Sequence, residues 1–209
     1  MPEVRGAQTS CGGSSGAALR GANLLTEEDS EMRTMCFIDG ENLVFRYQDM
    51  CKAGGKPNST SIVHIPDVFV WHPHLHGEDR NVVRVNYYTS AVGTDEKIDD
   101  IRDQIGRYVI NPTGYGRRIC AHVFKKLKSS NKAKLVDIAL TIDALGHTHR
   151  DQVDCVFLFS GDGDFVPLIR EIMRNGKQVV VGALSSGLNP EMRRIGDQFI
   201  DIDPWSFLR

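Results

Sequence analysis

At 209 residues and 41% apolar side chains, the chain can bury one sizeable core, and it reads as one domain plus a tail or at most two small domains. A formal net charge of -2 neither excludes nor requires nucleic acid, so local charge distribution must decide that question. No run of about 18 apolar residues occurs and no apolar stretch follows the N-terminus, so neither a membrane span nor a secretory leader is expected. The five cysteines, Cys11, Cys36, Cys51, Cys120 and Cys155, form no CxxC pair, and Cys36 and Cys155 lie inside apolar runs. They read as reduced thiols of a cytoplasmic protein.

Residues 1–33 are expected to be a disordered tail, because Gly12-Gly13-Ser14-Ser15-Gly16 is flexible and apolar residues are sparse there. The domain is expected over 34–209. A first strand runs over 35–38, and a helix over 43–51 closes at Gly54-Gly55-Lys56-Pro57. The mixed stretch 62–71 resists assignment. The alternation in 82–89 predicts a strand. Ile98, Ile101, Ile105 and Val109 at helical spacing predict a helix over 95–110. Further strands are expected at 119–124, 153–159, 179–184 and 199–202. Helices are expected at 135–145, stopped by Gly146, at 166–175 with Pro167 in the first turn, and at 190–198. Strands alternating with helices, several of them apolar throughout, predict an α/β three-layer sandwich: a mostly parallel, doubly wound, Rossmann-like sheet with helices on both faces.

In such a sheet, ligands bind beyond the carboxyl ends of the strands. Asp39 follows the first strand, and Ser160-Gly161-Asp162-Gly163-Asp164-Phe165 follows the strand at 153–159. Asp137 opens the helix at 135–145, with Thr141 one turn on along the same face. Asp39, Asp137, Asp162 and Asp164 are therefore the candidate catalytic and metal-holding residues. Carboxylates with an Asn amide are hard oxygen ligands that suit Mg²⁺ or Mn²⁺ rather than Zn²⁺. One or two such ions could drive hydrolysis of a phosphodiester without a Ser, Cys or His nucleophile. The plainer account makes Asp39 and Asp164 helix caps. Asp143 lies about 120° round its helix from Asp137 and, with Thr141 and Ser160, forms a second rank of candidates.

These motifs resemble the NYN domain, a branch of the PIN-like nuclease superfamily that includes LabA-like proteins. Phe37-Ile38-Asp39-Gly40-Glu41-Asn42, Lys134-Leu135-Val136-Asp137 with Leu140 and Asp143, and Ser160 to Phe165 match in order. The resemblance implies a metal-dependent ribonuclease with aspartates at 39, 137, 162 and 164. It also implies that the Asn42 amide orients the first carboxylate or the substrate. The stretch 62–79 looks longer than the family minimum. Some LabA-like members are regarded as regulatory, which supplies the alternative of a non-catalytic regulator binding RNA or protein.

From 110 to 136 there is no Asp or Glu, while Arg117, Arg118, Lys125, Lys126, Lys128, Lys132 and Lys134 occur with Tyr115 and Phe124 interleaved. This span is expected to bind single-stranded RNA through its phosphates; a solvated loop is the plainer account. A homodimer is compatible with everything above. His72, His74 and His76 alternate, but Pro73 and Gly77 mark an exposed loop, and no fourth ligand completes a zinc site. Gly161 to Asp164 echoes a calcium loop whose required Glu is replaced by Met173. Gly54-Gly55-Lys56 lacks the spacing of a phosphate loop. A haloacid-dehalogenase-type phosphatase would need an Asp where Phe37 stands.

Overall fold

A computed structural model of the chain describes residues 32–58, 62–72, 75, 81–108, 118–126 and 134–208. Residues 1–31 of the expected tail lie outside the described residues. The elements are β1 (Thr34–Asp39), α1 (Gly40–Lys52), β2 (Val63–Ile65), β3 (Phe69–Trp71), β4 (Val82–Ala91), α2 (Asp95–Gly106) and β5 (Ile119–Lys125). There follow α3 (Lys134–His149), β6 (Cys155–Phe159), a 3-10 turn (Gly163–Phe165), α4 (Val166–Arg174) and β7 (Gln178–Ala183). The chain ends with α5 (Met192–Ile195), β8 (Gln198–Asp201) and α6 (Asp203–Ser206).

The six-stranded sheet has the order β5-β4-β1-β6-β7-β8, and every neighbouring pair is parallel. Every residue of β1 and of β6 is buried, as the apolar runs of a sheet covered on both faces require. One face carries α1, α2 and the short β2–β3 pair, through Leu43, Val44, Ile98, Ile101 and Phe69. The other carries α3 and α4, through Val136, Leu140, Leu168 and Ile172. The chain leaves β1 toward β4 and later returns to β6 on the other side. The order of strands therefore reverses between β1 and β6, and a crevice opens at their carboxyl ends.

The unassigned stretch 62–71 is an antiparallel hairpin that joins no strand of the main sheet. Its ties to β4 are side-chain bonds: the Thr89 hydroxyl donates to the Val68 carbonyl at 2.7 Å, and the Val70 N–H donates to the Tyr87 hydroxyl at 3.1 Å.

Four helices differ from the spacing-based expectation. α1 starts at Gly40 rather than Leu43, because Asp39 caps it through the Asn42 N–H. α2 ends at Gly106 rather than running to 110, with Arg107 as its C-cap. α3 runs through Gly146 to His149. The Thr148 hydroxyl bonds the Ala144 carbonyl at 2.8 Å and both residues are buried, which outweighs the roughly 1 kcal/mol cost of an interior glycine. α5 is a single turn rather than the longer helix expected at 190–198. Asn189 takes the Met192 N–H on its carbonyl, and Gly196 leaves in extended geometry.

Candidate active site

The crevice is built around Asp39, which is 3% exposed at the end of β1. Its Oδ1 accepts the Asn42 N–H at 3.0 Å, and its Oδ2 accepts the Ser160 hydroxyl at 2.9 Å. Ser160, just past β6, in turn accepts the Asp162 N–H at 3.1 Å. The Asn42 side-chain oxygen accepts the Gly161 N–H at 3.1 Å, so α1 and the loop after β6 hold each other in place. On the loop's far side, the Asn189 N–H donates to the Gly161 carbonyl at 2.9 Å. The glycine at 163 answers to the same neighbour: a Cβ there would stand 2.1 Å from the Asn189 amide nitrogen.

Two neutral donors do not compensate a buried carboxylate charge. Burial pushes the Asp39 carboxyl up to about 7; the bonds from Asn42 and Ser160 oppose that rise, and the charges of Asp137 and Glu41 add to it. Asp137 is exposed in the first turn of α3, near enough for its charge to act on Asp39. Asp162 and Asp164 are exposed on the 3-10 turn, and the Oδ1 of Asp162 accepts the Asp164 N–H at 3.0 Å. Asp162 is thus the cap of that turn, whereas α4 has no side-chain cap; the capping role considered for Asp164 is not taken up.

A hard cation suits this donor set, which is all oxygen and carries more negative charge than its neutral hydrogen bonds offset. Among the described residues, however, no three His, Cys, Asp or Glu side chains stand close enough together to hold an ion. The charges of Asp137 and Glu41 act on Asp39 by repulsion, while Asp162 and Asp164 stand exposed on the neighbouring loop.

Glu41 is the residue that sequence reasoning passed over. It lies inside the first motif, but an acid in a first helical turn reads as a partner of the helix dipole. In the fold it is half-buried, accepts the Ser90 hydroxyl from the end of β4, and pairs with the Lys126 ammonium at 3.5 Å.

The expected basic groove is divided by the sheet. Arg118 is exposed at the amino end of β5 and Lys125 ends that strand, so about 23 Å of extended chain separates them. Only the Lys125 end shares an edge with Asp39. Lys125 pairs there with Asp95 at 2.7 Å, and Lys126 with Glu41. Arg117, Lys128 and Lys132 lie outside the described residues, as does the side chain of Lys134.

Thr141 is half-buried on α3, and the Oδ2 of Asp143 accepts the Tyr88 hydroxyl at 2.9 Å. Tyr88 stacks on His122 with centroids 4.4 Å apart, so Asp143 has a packing partner of its own away from Asp39's hydrogen bonds. His72 is buried rather than part of an exposed loop, while His74 and His76 lie outside the described residues. None of the described cysteines, Cys36, Cys51, Cys120 and Cys155, forms a disulfide. No described helix is long and apolar enough to cross a membrane.

Comparison with known proteins agrees with this architecture. An uncharacterized protein of Methanocaldococcus jannaschii is 28% identical over 98 residues, which is 47% of this chain and 41% of that protein. The match thus spans about two-fifths of the curated relative's length. A crystal structure of a protein of unknown function from Vibrio parahaemolyticus shares the fold, with a TM-score of 0.56 at 16% identity over 88% of this chain and 100% of that one. The family model described as the NYN domain matches residues 33–203. The chain belongs to the NYN domain family, a nuclease-like family.

Proposed function

We propose that the chain is a divalent-metal-dependent ribonuclease that hydrolyses phosphodiester bonds of single-stranded RNA. The observation that carries this is Asp39: a carboxylate buried at the strand-order reversal, bonded only by neutral donors, beside the further negative charges of Asp137 and Glu41. Asp39, Asp137, Asp162 and Asp164 are the residues that would hold Mg²⁺ or Mn²⁺. A bound ion would supply the Lewis acidity that activates water and offsets charge on the leaving oxygen. The chain's own residues do the positioning. Ser160 and the Asn42 N–H fix both oxygens of Asp39, and the Asn42 side chain anchors the loop that carries Asp162 and Asp164. Lys126, paired with Glu41 on the same edge, is the cation that would exchange that partner for a phosphate.

Purified protein is expected to cleave single-stranded RNA with Mn²⁺ and to stop with chelator. Asp39→Asn should slow cleavage by about 100-fold or more, since even residues outside the ligand shell cost 10–100-fold when removed. Wild-type rates in both Asp39→Asn and Asp162→Asn would overturn the assignment. A non-catalytic, RNA-binding regulator is the second reading. Two observations favour it: the lack of three clustered ligands among the described residues, and the engagement of Glu41 by Lys126. It predicts RNA affinity with no turnover under any divalent ion.

A further inference from the structure

Beside the crevice, a groove of about 710 Å³ runs between α1, the turn of the β2–β3 hairpin, the end of β4 and α2. Its size is within the roughly 300–1,000 Å³ range of small-ligand sites. Glu41 and Lys126 line it, and the charge of Glu41 also acts on Asp39, so the groove adjoins the candidate site through that residue. Two large apolar side chains lie exposed along it, Phe45 at 39% and Val92 at 38%. Among the described Phe, Tyr and Trp side chains, Phe45 is the one most open to solvent. Val68 and Ile101 add an apolar lining, while Gln104 and Lys97 bring an amide and an ammonium.

An exposed aromatic costs solvation and contributes nothing to the core. Set in a concave wall with an amide nearby, it provides what an unstacked nucleobase needs: a flat apolar face to stack on and an edge partner to read. Lys97 and Lys126 are the groove's cations and Glu41 and Asp67 its carboxylates; the two ammonium groups suit the phosphates that flank such a base.

We infer that this groove is a nucleobase subsite: it takes the base of a nucleotide adjoining the phosphate at Asp39, stacked on Phe45 with its edge facing Gln104. The inference rests on RNA being the substrate. Phe45 is the positioning residue for the strand and Gln104 the one that discriminates among bases. Because a base must leave its own stack to enter, single strands are bound in preference to duplexes.

The test uses full-length protein without divalent ion and fluorescein-labelled RNA octamers read by anisotropy. One set carries bases (oligo-U, oligo-A, oligo-C), and the other is an abasic ribose-phosphate octamer of equal charge. Base-bearing RNA should bind about ten-fold more tightly than abasic RNA, as one good stacking contact gives. Phe45→Ala should erase that ratio and leave abasic affinity unchanged, Phe45→Trp should keep it, and Gln104→Ala should change the ranking of the three bases. Phe45 is on the surface, so the melting temperatures of its variants should stay close to the parent's. An unchanged ratio in Phe45→Ala, or an equal fall for both octamer types, overturns the subsite. Manganese-dependent cleavage with no preference for base-bearing RNA overturns the subsite while leaving the nuclease standing. A Phe45-dependent ratio with no cleavage retains the subsite and removes hydrolysis.

Discussion

Asp39 meets two demands at once: it caps α1, and it presents a charge that its neighbours do not offset. The second demand makes the metal-free protein sensitive to pH. Burial, followed by the charges of Asp137 and Glu41, lifts the folded carboxyl from 3.8 to about 7. Between those values the folded chain holds a proton that the unfolded chain has released. The contribution of Asp39 to stability is therefore full below about pH 4 and falls as pH rises toward 7, at up to about 1.4 kcal/mol per unit for one proton; above that it is flat. In chelator, urea melts from pH 4 to 8 should show this loss in the parent and a much smaller one in Asp39→Asn; equal slopes would refute it. Asp39 and Ser160 were legible as site residues because each ends a wholly apolar run, where a polar side chain needs a reason. Glu41 was not, since its character is set by Ser90 and Lys126, which stand 49 and 85 residues away in sequence. Chain order does not reveal that encounter.

Among the elements, β1, β6 and α4 were legible because their patterns are internally consistent: continuous apolar residues for a strand covered on both faces, and Pro early in the helix. The hairpin was not, because its strands are three residues each and its anchors come from β4 side chains. Nor was the first turn of α1, where Gly40 reads as a loop. Its small size is a packing requirement: a Cβ would stand 2.3 Å from Tyr87 Cε1 and 2.7 Å from the Tyr88 carbonyl oxygen. Gly40→Ala should therefore push α1 off β4. About 1–3 kcal/mol of stability should be lost in urea unfolding, the usual range for overpacking, with RNA cleavage falling as the Asp39 cap shifts. Full activity and stability in that variant would mean that the helix start tolerates displacement.

At the scale of the molecule, the sheet separates two apolar layers while belonging to both. Leu43 packs on one face and Leu140 on the other. Leu43→Ala and Leu140→Ala should each cost about 2–5 kcal/mol and lower one and the same calorimetric transition. Two resolved transitions, each answering to one substitution, would show that the layers melt apart. The strand-order reversal was legible as an expectation because alternating strands and helices permit few other topologies. The pairing of the lysines was not, since it depends on which strand end faces which acid. The hairpin's attachment has a broader consequence. It is fastened to β4 by side-chain bonds and packs Phe69, Val70 and Trp71 into the core, yet adds no rung to the backbone ladder of the six strands, so changes confined to its turn leave untouched the register that places Asp39 beside Ser160. Because Pro66, Asp67 and Val68 of its turn border the groove beside α1, substitutions there would reshape that wall while the strand ends that carry Asp39 and Ser160 stay where they are.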